Sequence, residues 1–280
     1  MKNLLFLLTF FYITNNFAQE KLDFTTRFVE SENQWVAFKA DSLGMHAFGF
    51  IYIDASAGLT LDLSGYFSIN ENGTFSLKKN ESMSSIKYRL ENNSFLVAII
   101  PDSHLKELEV LKVPEWLHIY KHDEESIERL YNWGYRYNGW NECAKALTYL
   151  EKAYKINPNY KGLRVELAFS YNCLEDFEKA IDVLEVALKK TPNDAYTYKE
   201  LIYAQIHNNQ IDKAVITYNT VVNDLTDTSF NAENAYNIAG AYFRLKDLKR
   251  FNTWLKKTNI DKDEQFGANV EHLKRLLENK

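Results

Sequence analysis

The stretch "NWGYRYNGWNECAKALTYLEKAYKINP", Asn132 to Pro158, decides how the second half of this 280-residue chain is read. With Leu130 just ahead of it, the stretch sets Trp133, Gly134, Tyr137, Ala146, Leu150, Ala153 and Pro158 at helical spacings. Adding 34 residues to each position gives Arg164, Leu167, Ala168, Tyr171, Ala180, Leu184, Ala187 and Pro192. Seven of the eight positions keep their size class, and Arg164 is the exception. A fixed period of this length is the mark of a repeat architecture. The residue types say what repeats. Gly134 and Ala146 are small, so two helix axes can come close, while Trp133, Tyr137 and Leu150 fill the space between them and the next pair. Pro158 lacks the N–H a helix needs and stops the second helix. One such pair cannot bury its apolar face alone, so the pairs must stack.

Small and large residues fixed together at these offsets resemble the tetratricopeptide repeat (TPR) family, over roughly Asp123 to Lys280. The resemblance implies units at about 127–160, 161–194, 195–228 and 232–261. In the third, Tyr198, Leu201, Ala214 and Tyr218 fit, while Gln205 and Thr226 depart. The fourth needs about three extra residues before it and offers Ile238, Ala239, Tyr242 and Leu255, with Phe251 where a small residue is expected. "DEQFGANVEHLKRLLEN" then reads as a terminal helix, within 262–279, that caps the stack. As a whole the chain resembles secreted proteins that join a small β-rich domain to such repeats, a resemblance that carries no known activity.

Ahead of the repeats the period is two. In "GLTLDLSGYFSI", Leu59, Leu61 and Leu63 alternate with Thr60, Asp62 and Ser64, which predicts a half-buried strand. "NENG" at Asn70 to Gly73 is a turn signal, and "TFSLKK" is its return strand. "SIKYRL", "ENN" and "SFLVAII" predict a second hairpin, and "WVAF" and "HAFGFIYID" two more strands. "PDSHLKELEVL" predicts a short helix capped by Asp102 or Ser103. The fold class expected is therefore multidomain α+β. A mostly antiparallel β-rich domain at 19–122 precedes an all-α solenoid, at 123–280, of about four helical hairpins plus a capping helix. Residues 1–18 read as a secretory signal: Lys2, an apolar run from Leu4 to Ile13 too short to span a bilayer, then Ala18 before Gln19. The expected location is the periplasm or the exterior.

The formal net charge of -5 argues against nucleic acid as a partner, since binding it needs a basic face. No phosphate-cradling glycine motif, nucleophile elbow or metalloprotease "HExxH" occurs in the sequence. His118 and His122 stand at i and i+4 beside Asp123 and Glu124, a spacing that could bind a metal on a helix, but the reading taken is a solvated charged segment between domains. No catalytic residue, metal or cofactor is assigned. "DSL" at Asp41 to Leu43 resembles a short acceptor motif for O-linked sugars in some exported bacterial proteins. Cys143 and Cys173 invite a disulfide in an exported protein, and two packed or exposed thiols fit the spacing as well.

The repeat resemblance places a binding groove on the first helix of each unit. It maps to Tyr131 and Tyr135, to Phe169 and Asn172, to Lys199 and Tyr203, and to Tyr236 and Phe243. Only Lys199 and Arg244 would serve a basic clamp on a peptide carboxylate. The function expected is a non-enzymatic, exported interaction module that holds a protein or peptide partner. The alternative is a structural subunit of an envelope assembly contacted through the β-rich domain, and a third possibility is an enzyme in that domain.

Overall fold

The computed structural model describes residues 22–78, 86–91 and 95–278. The candidate signal at 1–18 lies outside these residues, as do Ser85, Asn92, Asn93 and Ser94 of the expected second hairpin. The chain divides into two compact units, Met1–His122 and Asp123–Lys280, each described here by itself.

Among the described residues, the first unit holds one antiparallel sheet of seven strands: β1 (Thr26–Arg27), β2 (Gln34–Ala37), β3 (His46–Asp54), β4 (Gly58–Ile69), β5 (Phe75–Lys78), β6 (Ile86–Arg89) and β7 (Leu96–Ile99). The order is β1-β7-β2-β3-β4-β5, with β6 also paired to β4. Strand β4 is 12 residues long, so one of its edges serves two strands: Tyr66–Ile69 pair with β5 and Thr60–Leu63 with β6. The β4–β5 turn forms where "NENG" stands. Asn70 N–H donates to the Thr74 carbonyl (2.9 Å), and Gly73 takes φ 84°, a conformation that favours glycine. Aromatic side chains dominate the core: Trp35, Phe48, Phe50, Tyr52, Phe67 and Phe75, covered by Leu105, Leu108 and Leu117.

Three expectations for this unit need correction. Strands β6 and β7 do not form a hairpin. Strand β6 pairs with β4, while β7 lies between β1 and β2. Apolar alternation fixes which face a strand buries but not which neighbour it joins. The segment after Pro101 forms only a 3-10 turn, Asp102–His104, with Pro101 at its N-cap and no capping side chain. The side chains that a helix would have aligned are taken by β5 instead. Glu107 accepts from the Phe75 N–H (2.6 Å) and from His104 Nδ1 (2.9 Å), and the His104 ring stacks on Phe75 at 4.0 Å. Third, Thr60 and Asp62 are as buried as Leu61 between them. Lys87 lies 3.6 Å from Asp62, with its ammonium 4.4 Å from the Trp116 ring centre and 5.1 Å from those of Tyr52 and Tyr120, so an ion pair and an aromatic wall cover that face.

Asp41–Leu43 forms an exposed turn in which Asp41 accepts the N–H groups of Leu43 (2.8 Å) and Met45 (3.0 Å). The histidine pair does not share a helix, because α1 (Leu117–Tyr120) ends before His122. Among the described residues no group of three or more histidine, cysteine, aspartate or glutamate side chains is placed to hold a metal, and no helix is long and apolar enough to cross a membrane.

The second unit is four helical hairpins: α2 (Ile127–Gly139) with α3 (Cys143–Ile156), α4 (Leu163–Cys173) with α5 (Phe177–Leu188), α6 (Ala195–His207) with α7 (Ile211–Asp224), and α8 (Asn231–Arg244) with α9 (Leu248–Thr258). Helix α10 (Gly267–Glu278) packs on α8 and closes the series. Every hairpin reverses in the same way. A residue in left-handed conformation follows the first helix: Asn141, Glu175, Asn209 and Lys246, at φ 56° to 62°. The next N–H then returns to the carbonyl of Tyr137, Tyr171, Gln205 or Tyr242 at 2.7–3.0 Å. This satisfies carbonyls that the helix end leaves open.

The departures from the repeat have local explanations. Arg164 does not fill a core site. Its Nη1 donates to the Tyr154 hydroxyl (2.9 Å) and its guanidinium covers the Tyr154 ring. Gln205 is buried because Thr217 Oγ1 donates to its Oε1 (2.9 Å). Phe251 is fully buried in the terminal core, beside Tyr242 and Trp254 in the same cluster. A disulfide joins Cys143 at the start of α3 to Cys173 at the end of α4, with Cα atoms 6.2 Å apart. Cross-links closing loops of about thirty residues contribute ~3 kcal/mol.

Two substitutions test this packing. A Cβ at Gly134 would lie 2.3 Å from Leu150 Cγ, so Gly134→Leu should lower stability by ~1–3 kcal/mol or more as α2 and α3 are forced apart. An unchanged midpoint in thermal unfolding would show that the two axes do not meet there. Asn234 is fully buried, yet neither polar atom of its side chain meets a hydrogen-bond partner among the described residues. Leucine has nearly the same shape without the unpaired groups, so Asn234→Leu should gain ~1–3 kcal/mol in denaturant unfolding. A loss would mean that the amide has a partner.

Candidate functional site

The first helices α2, α4, α6 and α8 pack side by side, each on the next. Polar side chains run between them with the same 34-residue period as the core. Asn138 Nδ2 donates to the Glu166 carbonyl and to Glu166 Oε2, both at 2.9 Å. One unit on, Asn172 Nδ2 donates to the Glu200 carbonyl (3.2 Å) and to Glu200 Oε2 (3.0 Å). The two rungs differ in one bond. Asn138 Oδ1 accepts from Ser170 Oγ at 2.7 Å. The residue 34 on from Ser170 is Ala204, and Asn172 Oδ1 has no donor among the described residues. The ladder stops there, since Ile206 replaces the next asparagine.

Beside the second rung lies a cavity of about 530 Å³. It brings together four residues of the sequence-derived groove: Phe169 and Asn172 from α4, and Lys199 and Tyr203 from α6. Its aromatic wall is continuous. Tyr203 lies 4.2 Å from the His207 ring centre, and His207 stacks on Phe177 at 5.2 Å. Burial, with the Arg244 charge adding to it, pushes the His207 imidazole below its ordinary value. Lys199 is engaged by its own neighbours. Its ammonium lies 3.6 Å from Glu200 and 3.5 Å from Glu233, and over the rings of Tyr196 and Phe230.

The other sequence-derived residues lie outside the cavity. Tyr131 packs its ring against Tyr160 (5.2 Å) and its hydroxyl beside Gly162, and burial, more than the nearby Glu166 charge, pushes its phenol up. Tyr135 is 57% exposed. Tyr236 stacks on Phe266 at 4.8 Å, and Phe243 packs against the terminal core, so both serve the closing end of the stack. Arg244 is exposed at the end of α8. Sequence reasoning missed Asn138, Glu166 and Glu200, although the signal was present: both the asparagine and the glutamate recur at +34. Phe177, His207 and Glu233 carried no comparable signal, because the helix reversal and the neighbouring unit bring them to the cavity.

The ladder has an electrostatic consequence. Burial raises the Glu166 carboxyl above its ordinary value of 4.5, the Asn138 hydrogen bond opposes this, and the Glu200 charge adds to it. A carboxyl raised in the folded state favours folding when protonated and opposes it when ionised. Glu166→Gln, which keeps an acceptor for Asn138, should therefore raise the melting midpoint at neutral pH. The advantage should shrink as pH falls toward 4.5 and vanish below it. Urea unfolding of both proteins across this range checks it, and an advantage that grew on acidification would contradict it.

Comparison with known proteins bears on the helical unit. Residues 142–196 match the tetratricopeptide repeat family model. Thirteen solved chains match. One is a tetratricopeptide repeat protein from Parabacteroides merdae ATCC 43184, 14% identical at a TM-score of 0.41, the match covering 63% of this chain and 62% of that one. Another is MamA MSR-1 C2, 16% identical at a TM-score of 0.44, covering 57% of this chain and 88% of that one. The chain thus spans less than two thirds of the first of these. None of the curated proteins compared matches it.

Proposed function

We propose that this protein, whose helical half belongs to the tetratricopeptide repeat family, is an exported, non-enzymatic interaction protein that holds an extended segment of a partner protein across its first helices. Repeats of this family are protein–protein interaction modules and generally carry no catalysis. The observation that carries the reading is the cavity at Phe169, Asn172, Lys199 and Tyr203. It combines aromatic surface with fixed polar groups on successive units. Such a mixture suits recognition, because aromatics give large contact area with little rotamer entropy to lose. The signal-like pattern at 1–18 and the Cys143–Cys173 disulfide support export, since such bonds persist in oxidising compartments.

Replacing Phe169 and Tyr203 together by alanine tests the proposal. Both side chains are half-buried on the face, outside the helical-hairpin cores. The double variant should keep its helical circular dichroism and lose partner capture, at ~2 kcal/mol or more for each true anchor. Full capture by a folded double variant would move the binding site elsewhere on the chain.

A further inference from the structure

The charge around the cavity is one-sided. Glu175, Glu200 and Glu233 line it, against a single lysine, Lys199. Farther along the same face Glu166 continues the row, so α4, α6 and α8 each present a carboxylate. Burial of Tyr196 between Glu200 and Glu166 pushes its phenol up, as expected where negative charge gathers. Lys199 cannot balance the row, since its one ammonium is already shared between Glu200 and Glu233.

A second observation is independent of this charge. Asn172 is 5% exposed, lines the cavity, and has an Oδ1 with no donor among the described residues. Its counterpart in the preceding unit has one, from Ser170. A buried acceptor without a donor is costly, and an N–H group brought by a ligand removes the cost. The rings of Phe177, Tyr203 and His207 form a wall against which an aliphatic stem can lie, and Tyr203 can face a cation.

Resting on the proposed partner-binding face, we propose that the segment held there is basic: a lysine or arginine side chain enters the cavity, its stem on the aromatic wall and its N–H groups directed to Glu200, Glu233 and Asn172. A peptide carboxylate is the wrong ligand. The one cation present is already paired, and the surrounding acids repel a second anion.

The test uses the full chain and capped peptides, acetylated and amidated so that no terminal charge contributes. One peptide carries two arginines spaced by alanines, and the other carries glutamates in their place. Fluorescence anisotropy should show binding of the arginine peptide and none of the glutamate peptide. Glu233→Gln should weaken the arginine peptide on the order of fivefold, while Glu178→Gln, exposed on α5, should leave it unchanged. Lys199→Met should tighten it by about the same factor, because two carboxylates lose their internal partner. Equal binding of the two peptides, or equal effects of Glu233→Gln and Glu178→Gln, would overturn the inference. The binding face itself is judged separately. Capture that is lost on replacing Phe169 and Tyr203, together with preference for the acidic peptide, would remove only the basic ligand. Capture that survives that replacement would remove the face as well.

Discussion

The approach of α2 to α3 at Gly134 governs much of what the helical unit does. A helix pair of this length has too little apolar surface to fold alone, so its stability depends on how closely its axes come and how fully the next pair covers it. Gly134 provides that closeness, because Leu150 occupies the space a side chain would need. Ala146 and Ala153 are fully buried beside it. Once the first pair is close, the left-handed residue at Asn141 and its counterparts set the same reversal in each unit. The 34-residue spacing then brings equivalent residues to equivalent places. The polar ladder from Asn138 to Glu166 and from Asn172 to Glu200 depends on that register, since a shift of one residue would turn each amide away from its carboxylate.

The helical half was legible because its packing is local and periodic. Each hairpin's contacts lie within one repeat or its neighbour, so spacing along the chain is nearly a map of spacing in the fold. Gly134, Ala146 and Leu150 could be read as a contact without knowing anything else. The β-rich half offers no such map. Alternation announced strands, and seven stand among the described residues, but partner choice rests on contacts distant in sequence. Strand β7 pairs with β2 across some sixty residues, and nothing in "SFLVAII" records that preference. The segment after Pro101 fails as a helix for the same reason. Glu107 and His104 find Phe75, about thirty residues back, and that long-range contact overrides local propensity.

The candidate site lies between these cases. Phe169, Asn172, Lys199 and Tyr203 were legible as positions, while their roles and the rest of the lining were not. Phe169 and Tyr203 are reached from the repeat register alone, while Tyr236 and Phe243, picked by the same logic, are spent on the joint with the closing helix. The difference arises at the end of the stack. An inner unit is covered on both sides by other units and keeps its first-helix face for other use. The last unit has a neighbour on one side only, so its aromatics are drawn toward α10, which packs on α8. Sequence period cannot report this, because it treats every unit as interior.

Periodicity can also be separated by what each repeated position is for. Gly134 with Ala168, and Leu150 with Leu184, recur because the hairpin cannot close otherwise. Tyr135, Phe169 and Tyr203 also recur at 34-residue spacing, yet Tyr135 is largely exposed and the other two are half-buried. No core requires an aromatic there. Leaving large apolar surface in water brings no stability, so an aromatic stripe on an uncovered face is better explained by something that covers it. The stripe ends where the fourth unit places Gly240, 37 residues after Tyr203, the offset that also separates the reversals at Asn209 and Lys246. Unit four therefore keeps the hairpin but not the stripe. That separation between what folding demands and what the face displays is the physical basis on which the proposed face takes its aromatic contacts from the first three units, with Glu233 the residue that unit four adds.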